Sequence, residues 1–477
     1  IMISKVVSAG IVGVDGFSVE VECEVAGGLS SFEIVGLPET SVRESRVRVR
    51  AAMESVGMSL PNRRITVNLA PADIPKRGTI YDLPIAIAIL MASGSVSPEG
   101  SSFMAVGELS LNGEIRSVPG ALAMAVACRD AGIRRIVVPR GNALEAHAVP
   151  DLEVVPVESL TDVVEWLTGM REFTFEPPDM KEQAPVERHL DMADVRGQEL
   201  AKRALVVAAA GGHNILMTGP PGSGKTMLAR RLPGIMPTMS LEESLETTKI
   251  YSVSGLLPRD SALMTVRPFR APHHTVSNAA LVGGGSIPKP GEVSLAHHGI
   301  LFLDEMPEFS RAVLESLRQP LEDQLVQISR ARQSCVFPSS FALVAAMNPC
   351  PCGFRGDERN ECSCDTRSVQ KYMSRISGPL LDRIDMHIAV RSVDIEQLEG
   401  MEAGTSSAEL RRSVEQARDR QLTRFKGTNT VCNAVMPPAA LREKARATPE
   451  ALKILKMVFQ KRGLSVRSYD RILKVAR

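Results

Sequence analysis

The chain carries the octapeptide GPPGSGKT at residues 219–226, between an apolar run at 214–218 and a helix-forming stretch that begins at Lys225. The octapeptide fits the phosphate-binding pattern G-x-x-x-x-G-K-[ST], and it lies between a strand and a helix, as that pattern requires. The alternative is a glycine-rich turn that matches the pattern by chance, and this setting argues against it. Backbone N–H groups in such a loop point at phosphates, and the following helix adds its positive dipole end. The sequence therefore predicts an α/β nucleotide-binding domain with a phosphate loop of Gly219, Pro220, Pro221, Gly222, Ser223, Gly224, Lys225 and Thr226.

Two side chains of this loop and a later acidic pair predict ATP hydrolysis. Lys225 is expected to bind the β- and γ-phosphates, and the Thr226 hydroxyl is expected to bind Mg²⁺. A second apolar run at 300–303 ends in Asp304 and Glu305. An acidic pair at a strand end is common, but after a phosphate loop it predicts Asp304 as a Mg²⁺ ligand and Glu305 as the group that polarises the attacking water. The predicted enzyme is an ATPase with ATP and Mg²⁺ bound.

Asn348 and Arg467 resemble the two sensor residues of AAA+ ATPases. Asn348 follows the apolar run at 342–347, as sensor 1 does, although an ordinary turn before Pro349 would also explain it. Arg467, in the stretch LSVRSY at 464–469, resembles sensor 2, which contacts the γ-phosphate. Glu305, Asn348, Arg467 and the arginine discussed next are therefore the predicted catalytic residues.

The stretch LLDRID at 380–385 resembles the segment that carries the AAA+ arginine finger. Arg383 is then predicted to enter the site of a neighbouring subunit and to neutralise charge that develops during hydrolysis, which implies a ring. Arg375 is the alternative finger. A local ion pair of Arg383 with Asp382 or Asp385 is the other explanation.

Composition and patterning indicate several soluble domains. The chain has 477 residues, of which 44% are hydrophobic and 23% charged, a balance typical of globular proteins. The net charge is only +1, so any DNA binding must come from local basic patches. No apolar run is long enough to cross a bilayer, and the first residues lack a signal-peptide layout. We expect no membrane partner and a cytoplasmic location.

Residue patterns divide the chain into four parts. Residues 1–170 alternate β-rich and helical runs, which predicts an α+β domain. Residues 171–188 are charged and proline-rich and are predicted to be a linker. Residues 189–391 are predicted to form the ATPase core with a mainly parallel sheet. Residues 392–477 are charged and helical, which predicts a helical lid.

Four cysteines cluster between positions 350 and 364. They form two C-x-C pairs, Cys350 with Cys352 and Cys362 with Cys364, and supply the four soft ligands of a tetrahedral Zn²⁺ site. The alternative is four thiols without a metal. A structural zinc is predicted in the loop 349–365, and we expect this loop to protrude from the ring without disturbing the sheet.

Longer motifs resemble the ComM/YifB branch of Mg-chelatase-like AAA+ ATPases. They are IVGLP at 34–38, NLAPAD at 68–73, RAPHHT at 270–275, GGG at 283–285, PGE at 290–292, LAHHG at 295–299 and MNPCPCG at 347–353. The resemblance implies a homo-hexameric ring that couples ATP hydrolysis to DNA translocation, with helicase and branch migration activity in natural transformation and recombination. Its implied partners are single-stranded or branched DNA and recombination proteins. The alternative is a chelatase-type motor subunit that remodels a metal-insertion partner protein.

The same resemblance implies two elements that face the pore of the ring. One is an insertion between about residues 271 and 295, and the other is a hairpin with strands near 325–329 and 335–337. Arg330 and Arg332 at the tip are predicted to contact DNA phosphates, with a solvated turn as the alternative. The histidine pairs at 273/274 and 297/298 could reach DNA or a metal, and packing roles are equally compatible with them.

Residues 1–170 resemble the Lon-protease-like fold of the ribosomal-protein S5 type. When the Lon catalytic motifs are aligned by eye, Ile80 takes the place of the nucleophilic serine and Leu122 that of the lysine. Neither side chain can attack a carbonyl or accept a proton, so this domain is predicted to be proteolytically inactive and to serve ring assembly or DNA binding. Thr79 is the nearby residue that could support an ATP-dependent protease instead.

Overall fold

The computed structural model describes residues 2–97, 102–177, 190–258, 261–285, 288–330, 333–357, 359–392, 404–462 and 465–477. These residues form two compact units. The N-terminal unit contains the described residues up to 177 together with Ser244–Met264, and the C-terminal unit contains residues 190–243 together with Thr265–Arg477. Ser244–Met264 lies inside the range predicted for the ATPase core. Of the predicted linker, Phe173 and Phe175 pack against the core of the N-terminal unit, and residues 178–188 lie outside the described residues.

The N-terminal unit is built on a mixed β-sheet. Its strands are Met2–Val12 (β1), Asp15–Ala26 (β2), Ser31–Val35 (β3), Arg64–Ala70 (β4), Met104–Ala105 (β5), Glu108–Leu109 (β6), Ile115–Arg116 (β7), Arg135–Pro139 (β8) and Glu153–Val157 (β9). The main sheet has the order β3-β4-β2-β1-β5-β8-β9, and β6 pairs with β7. The β1–β2 and β2–β4 pairs are antiparallel and the other pairs of the main sheet are parallel. This mixed architecture agrees with the predicted α+β domain.

A buried helix, Asp82–Ala92, packs against β1 and β2 at the centre of this unit. After Asp82 its residues are all apolar, and a helix without a polar face is stable only when it is buried. The Asp82 carboxylate is fully buried and accepts hydrogen bonds from the Arg48 guanidinium at 2.6 Å and from the Leu109 backbone N–H at 3.2 Å. The other helices are Thr40–Arg43, Ser45–Ser55, Ala121–Asp130, Ala143–His147, Leu160–Leu167 and, from Ser244 onward, Leu241–Val253.

The C-terminal unit contains the predicted parallel sheet. Its strands are Ile215–Thr218 (β10), Phe269–Arg270 (β11), Gly283–Gly284 (β12), Lys289–Pro290 (β13), Ile300–Leu303 (β14), Leu325–Arg330 (β15), Gln333–Pro338 (β16), Ala342–Met347 (β17) and Met386–Ala389 (β18). Five of them form a sheet of order β11-β14-β17-β10-β18, in which all neighbours are parallel. The strands β10, β14 and β17 are almost continuously apolar and buried, as expected for a parallel sheet covered on both faces.

Helices surround this sheet and continue to residue 476. They are Glu199–Gly211, Lys225–Arg231, Asn278–Val282, Glu292–Leu295, Arg311–Ser316, Arg318–Asp323, Thr366–Met373, Gly378–Leu381, Ser407–Arg424, Pro438–Lys444, Pro449–Arg462 and Val466–Ala476. The long helix Ser407–Arg424 packs against Glu199–Gly211: Gln421 donates to the Ala210 carbonyl at 2.9 Å, and Val414 lies in the core of the ATPase sheet. The described part of 392–477 is mainly helical, and its action as a lid stays a prediction.

The predicted hairpin is present and packs against the predicted insertion. The strands β15 and β16 pair antiparallel from Leu325 opposite Pro338 to the residues that flank the tip. In the insertion, β12 pairs with β13, and a Cβ atom on Gly283 would lie 2.8 Å from the Ile328 side chain of β15. A larger residue at 283 would strain the insertion itself, because φ there is 103° and its Cβ would lie 2.5 Å from the Lys289 carbonyl oxygen. In the described part of the chain, no helix combines the length and the apolar character that a bilayer crossing needs.

Candidate nucleotide-binding site

The phosphate loop follows β10, in the interior of the parallel sheet. The neighbouring strand β17 ends level with it, because Thr218 pairs with Met347, and β14 ends on the far side of β17. Ligands of open parallel sheets bind beyond the carboxyl ends of the strands. The topology therefore brings Asp304 and Asn348, which follow β14 and β17, to the loop.

Gly224 ends the loop and precedes the first residue of the helix Lys225–Arg231. Its φ of 91° lies in the left-handed region, which glycine adopts at little cost. The turn leaves the N-terminal N–H groups of the helix at the end of β10, where they can donate to phosphate oxygens.

Lys225 is buried inside the curve of the loop. Its ammonium donates to the carbonyl oxygens of Gly219 and Pro220 at 2.8 and 2.9 Å and to the Asn348 side-chain oxygen at 3.3 Å. Burial lowers the pKa of Lys225, and the negative charges of Asp304 and Glu305 act in the opposite direction. The structure thus places the predicted sensor 1 next to the lysine of the phosphate loop.

The hydroxyl and the carboxylate predicted to bind Mg²⁺ meet directly. Thr226 donates its hydroxyl to Asp304 at 2.7 Å, and the other Asp304 oxygen accepts the Glu305 backbone N–H at 3.0 Å. Oxygen donors of these two types suit Mg²⁺, which binds proteins through one or two such groups and water. The donor set therefore fits the predicted metal.

Glu305 is more exposed than Thr226 and Asp304, and 60% of its side chain is accessible to solvent. Its backbone has a φ of 50°, a left-handed conformation that is costly for a residue with a Cβ and that occurs preferentially at functional sites. The Nδ1 atom of His274 lies 3.9 Å from the carboxylate. Nothing in the sequence near either residue indicates that they lie together. The adjacency of β11, which leads to His274, and β14 explains the contact.

The arginine finger candidate Arg383 has an acidic partner outside the phosphate loop. Its side chain is only 11% exposed and is paired with Glu322, and it also donates to the Pro379 carbonyl at 2.7 Å. The local pairs considered from the sequence are absent from the described contacts, because Asp382 binds Arg471 at 3.3 Å and Asp385 binds His213 at 3.2 Å. The alternative finger, Arg375, is half-exposed and binds Glu308 at 2.7 Å.

Arg467 lies beside Arg383. Its guanidinium is 3.7 Å from the same Glu322 carboxylate, and both arginines line a cavity of about 250 Å³ together with Asp382 and Arg471. Among the described residues, neither arginine is hydrogen-bonded or ion-paired to the phosphate loop of its own chain. The structure therefore groups the predicted sensor 2 with the predicted finger and separates both from Lys225.

The four clustered cysteines converge. The Cys350 sulfur lies 3.3 Å from that of Cys352 and 3.6 Å from that of Cys362, and all four sulfurs fall within 4.8 Å of one another. Tetrahedral Zn²⁺ with Zn–S bonds of about 2.3 Å needs sulfurs about 3.8 Å apart, so the cluster fits the metal closely. A hydrogen bond from the Phe354 backbone lowers the pKa of Cys352, whereas the pKa of Cys362 and that of Cys364 are raised, because a backbone hydrogen bond at each is outweighed by desolvation and the neighbouring thiols. Gly353 of this loop packs against Pro221 of the phosphate loop, and protrusion of the loop from a ring stays a prediction.

The other predicted site residues are only partly described. Arg330 ends strand β15, with its side chain outside the described atoms, and Arg332 lies outside the described residues, so their DNA contacts stay predictions. The two histidine pairs are packed, with ring centroids 4.1 Å apart at 273/274 and 3.8 Å apart at 297/298. His297 is buried and accepts the Ser340 backbone N–H at 3.0 Å, which is a packing role.

The aligned Lon positions in the N-terminal unit carry no catalytic pair. Ile80 and Leu122 are both buried in the apolar core. Thr79 donates its hydroxyl to Glu108, and the buried Lys76 donates to the Pro71 carbonyl. The proteolytic inactivity of this domain stays a prediction.

Three family models match most of the chain. The model described as magnesium chelatase, subunit ChlI, matches residues 191–398, the one described as subunit ChlI of Mg-chelatase matches 21–142, and its C-terminal model matches 404–477. The matches to residues 191–398 and 404–477 adjoin near residue 400.

Full-length relatives are similar over nearly the whole chain. Competence protein ComM of Haemophilus influenzae is 42% identical over 99% of this chain and 92% of its own length, and YifB of Escherichia coli is 41% identical over 100% and 92%. Weaker similarity, 26% identity in each case, links 49% of the chain to Lon protease 2 of Bacillus subtilis and 33% to the magnesium-chelatase 67 kDa subunit of Chlorobaculum parvum. The chain is therefore a member of the ComM/YifB family of Mg-chelatase-like AAA+ ATPases.

Proposed function

We propose that this chain is a subunit of a hexameric ring that hydrolyses ATP to move along single-stranded or branched DNA. The proposed activities are strand separation and branch migration during natural transformation and recombination, in the cytoplasm, where recombination proteins are the expected partners. The observation that carries the ATPase part is the convergence of Lys225, Thr226, Asp304 and Asn348 at the ends of three parallel strands. The similarity to competence protein ComM supports the DNA part.

Each side chain of the site has a role in the proposed hydrolysis. Lys225 neutralises charge on the β- and γ-phosphates, and Asn348 orients the γ-phosphate or the attacking water. Thr226 and Asp304 would hold Mg²⁺, which supplies positive charge to the phosphates when bound. Glu305, with its exposed carboxylate, accepts a proton from the attacking water. Catalysis then rests on positioning and electrostatics, without a covalent intermediate.

Two arginines are proposed to act on the nucleotide of the adjacent subunit. Arg383 and Arg467 share Glu322 and bind nothing in the described phosphate loop of their own chain. Presenting both to a neighbour would require Arg383 to leave Glu322, whose own pKa this arginine lowers. A heterologous contact repeated around a ring gives every subunit one complete site.

DNA is proposed to pass the hairpin β15–β16, with Arg330 and Arg332 on its phosphates. Two basic residues from each subunit would bind DNA phosphates, so the ring would bind DNA in a salt-dependent way and without sequence preference. The cysteine cluster is proposed to hold a structural Zn²⁺, since all four ligand positions are filled by protein sulfur.

A second candidate is a motor subunit that remodels a metal-insertion partner protein, as in chelatases. The matches to magnesium-chelatase models favour it, because they cover both units. The greater identity and coverage of the ComM and YifB sequences favour the DNA motor.

The proposal is tested by ATPase and strand-displacement assays on wild type and Glu305→Gln, with and without forked DNA. We expect DNA to stimulate wild-type turnover, and we expect the variant to bind ATP but to neither hydrolyse it nor separate strands. Turnover that DNA does not change, together with no retention of DNA, would refute the DNA motor and leave the remodelling motor. Absence of ATP binding by wild type would refute both.

A further inference from the structure

We infer that the cysteine cluster, when it holds zinc, fixes Gly353 against Pro221 and thereby keeps the phosphate loop in its ATP-binding form. Gly353 and Pro221 are then positioning residues that link a metal site to a nucleotide site. This inference rests on the proposed ATPase function and adds a determinant of ATP affinity to it.

The loop that carries the cysteines has little else to hold its shape. Between Cys350 and Cys364 the described residues form only turns and bends, and the buried ones are Cys350 and Gly353. The additional contacts are polar and near the surface, such as Ser392 with Asp357 at 3.3 Å. A segment without apolar anchors or backbone ladders depends on its cross-link for order, because ordering each residue costs about 1–2 kcal/mol of backbone entropy. Four sulfurs on one ion would supply that cross-link.

The contact with the phosphate loop is made by the residue next to a ligand. Gly353 directly follows Cys352, and its N–H donates to the Cys350 carbonyl at 3.0 Å. A Cβ atom at 353 would lie 2.6 Å from the Pro221 ring, closer than real contacts allow, so only glycine permits this approach. The position of Gly353 therefore follows that of Cys350 and Cys352, and Pro221 rests on it.

A second connection runs from the cluster to the same site. Asn348, whose side chain accepts from Lys225 at 3.3 Å, lies two residues before Cys350. The helix Thr366–Met373 begins directly after the cluster, and its buried Tyr372 is hydrogen-bonded to the backbone of Asn348. Both ends of the cysteine loop thus lead to groups that surround the lysine ammonium. Release of the metal would loosen Pro221 and Asn348 together.

The experiment measures zinc content by elemental analysis and the dissociation constant of a fluorescent ATP analogue, mant-ATP, in excess Mg²⁺. Wild type is compared before zinc removal, after removal under reducing conditions, and after zinc is added back. We expect one zinc per chain, weaker mant-ATP binding after removal, and recovery on re-addition. The expected weakening is about five- to thirtyfold, the change that corresponds to ~1–2 kcal/mol.

A pair of alanine variants separates the contact from loop strain. Gly353 has a φ of 88° and Gly356 a φ of 78°, so alanine is strained at both positions, but a Cβ at 356 meets no atom within 4 Å. We expect Gly353→Ala to retain zinc and lose mant-ATP affinity, and Gly356→Ala to retain both. Cys362→Ser should reproduce the affinity of the zinc-free wild type.

Three results would overturn the inference: wild type purified without zinc, zinc-free wild type with unchanged mant-ATP affinity, or equal affinities of the two alanine variants. In each case binding of mant-ATP by wild type would leave the proposed ATPase function intact. If wild type failed to bind mant-ATP at all, the proposed function itself would fail.

Discussion

If Arg383 serves the site of a neighbouring subunit, two inactive variants should restore each other. Lys225→Ala removes the phosphate-binding ammonium but keeps Arg383, and Arg383→Ala keeps a complete phosphate loop but lacks the finger. Each variant alone should lose turnover, by on the order of 10³-fold for the finger. The two residues make no contact with each other in one chain, since Lys225 binds loop carbonyls and Asn348 while Arg383 binds Glu322.

The expected recovery follows from counting interfaces. In rings assembled at random from equal amounts of the two variants, a working interface needs an intact loop from one subunit and an intact arginine from the next. Each condition is met in about half of the cases, so about one quarter of the interfaces are complete. Arg383→Ala removes a side chain that is only 11% exposed, but the acid it leaves unpaired, Glu322, is 51% exposed and can be solvated by water, so urea unfolding is the check that this variant stays folded.

The assay is steady-state ATP hydrolysis of the two variants, separately and mixed after a subunit exchange step. Activity of the mixture well above the sum of the separate variants, approaching one quarter of wild type, is expected. A mixture as inactive as its components, in rings shown to have exchanged subunits by energy transfer between differently labelled chains, would refute the assignment. Replacing Arg383→Ala by Arg375→Ala in the same mixture tests the alternative finger.

The remaining predictions concern one contact in each unit. His274→Ala should lower kcat about tenfold, a loss of ~1.4 kcal/mol, by freeing the Glu305 carboxylate 3.9 Å away, and ATP affinity should not change. The control His273→Ala removes a ring without that contact and should leave kcat near wild type. Equal kcat values for the two variants would contradict the role of His274. Arg48→Met should destabilise the N-terminal unit by about 3–5 kcal/mol, because it leaves the fully buried Asp82 carboxylate without its cation; urea unfolding measures this, and a loss below about 1 kcal/mol would show that the pair behaves like a surface ion pair.

Much of the ATPase site follows from local sequence, because parallel strands deliver their following residues to one edge. Three apolar runs, each followed by a polar residue or a glycine loop, were enough to predict that Lys225, Asp304 and Asn348 would meet. The four cysteines were equally predictable, since two C-x-C pairs can converge through a short loop. In the nucleotide site each functional residue directly follows a strand, and in the cysteine cluster each ligand lies two residues from another ligand.

Contacts between segments distant in sequence were not predictable in the same way. Nothing near Arg467 indicates that it shares Glu322 with Arg383, because the pairing depends on how the last helix packs. Ser244–Met264 belongs to the N-terminal unit, but the residue pattern of 189–391 predicted one uninterrupted ATPase core and did not indicate this. The approach of Gly353 to Pro221 depends on a loop whose sequence has no helical or strand periodicity, and a glycine at position 353 does not by itself predict a contact with Pro221.

The close approach of Gly283 to Ile328 has a mechanical consequence. Gly283 carries no side chain, so the short strand β12 meets the end of the Ile328 side chain of the hairpin strand β15, and both residues line a cavity of about 660 Å³. The end of a side chain beside open space can change its rotamer, so a shift of the hairpin would be absorbed there before it displaced the insertion. The two segments would therefore be able to move independently.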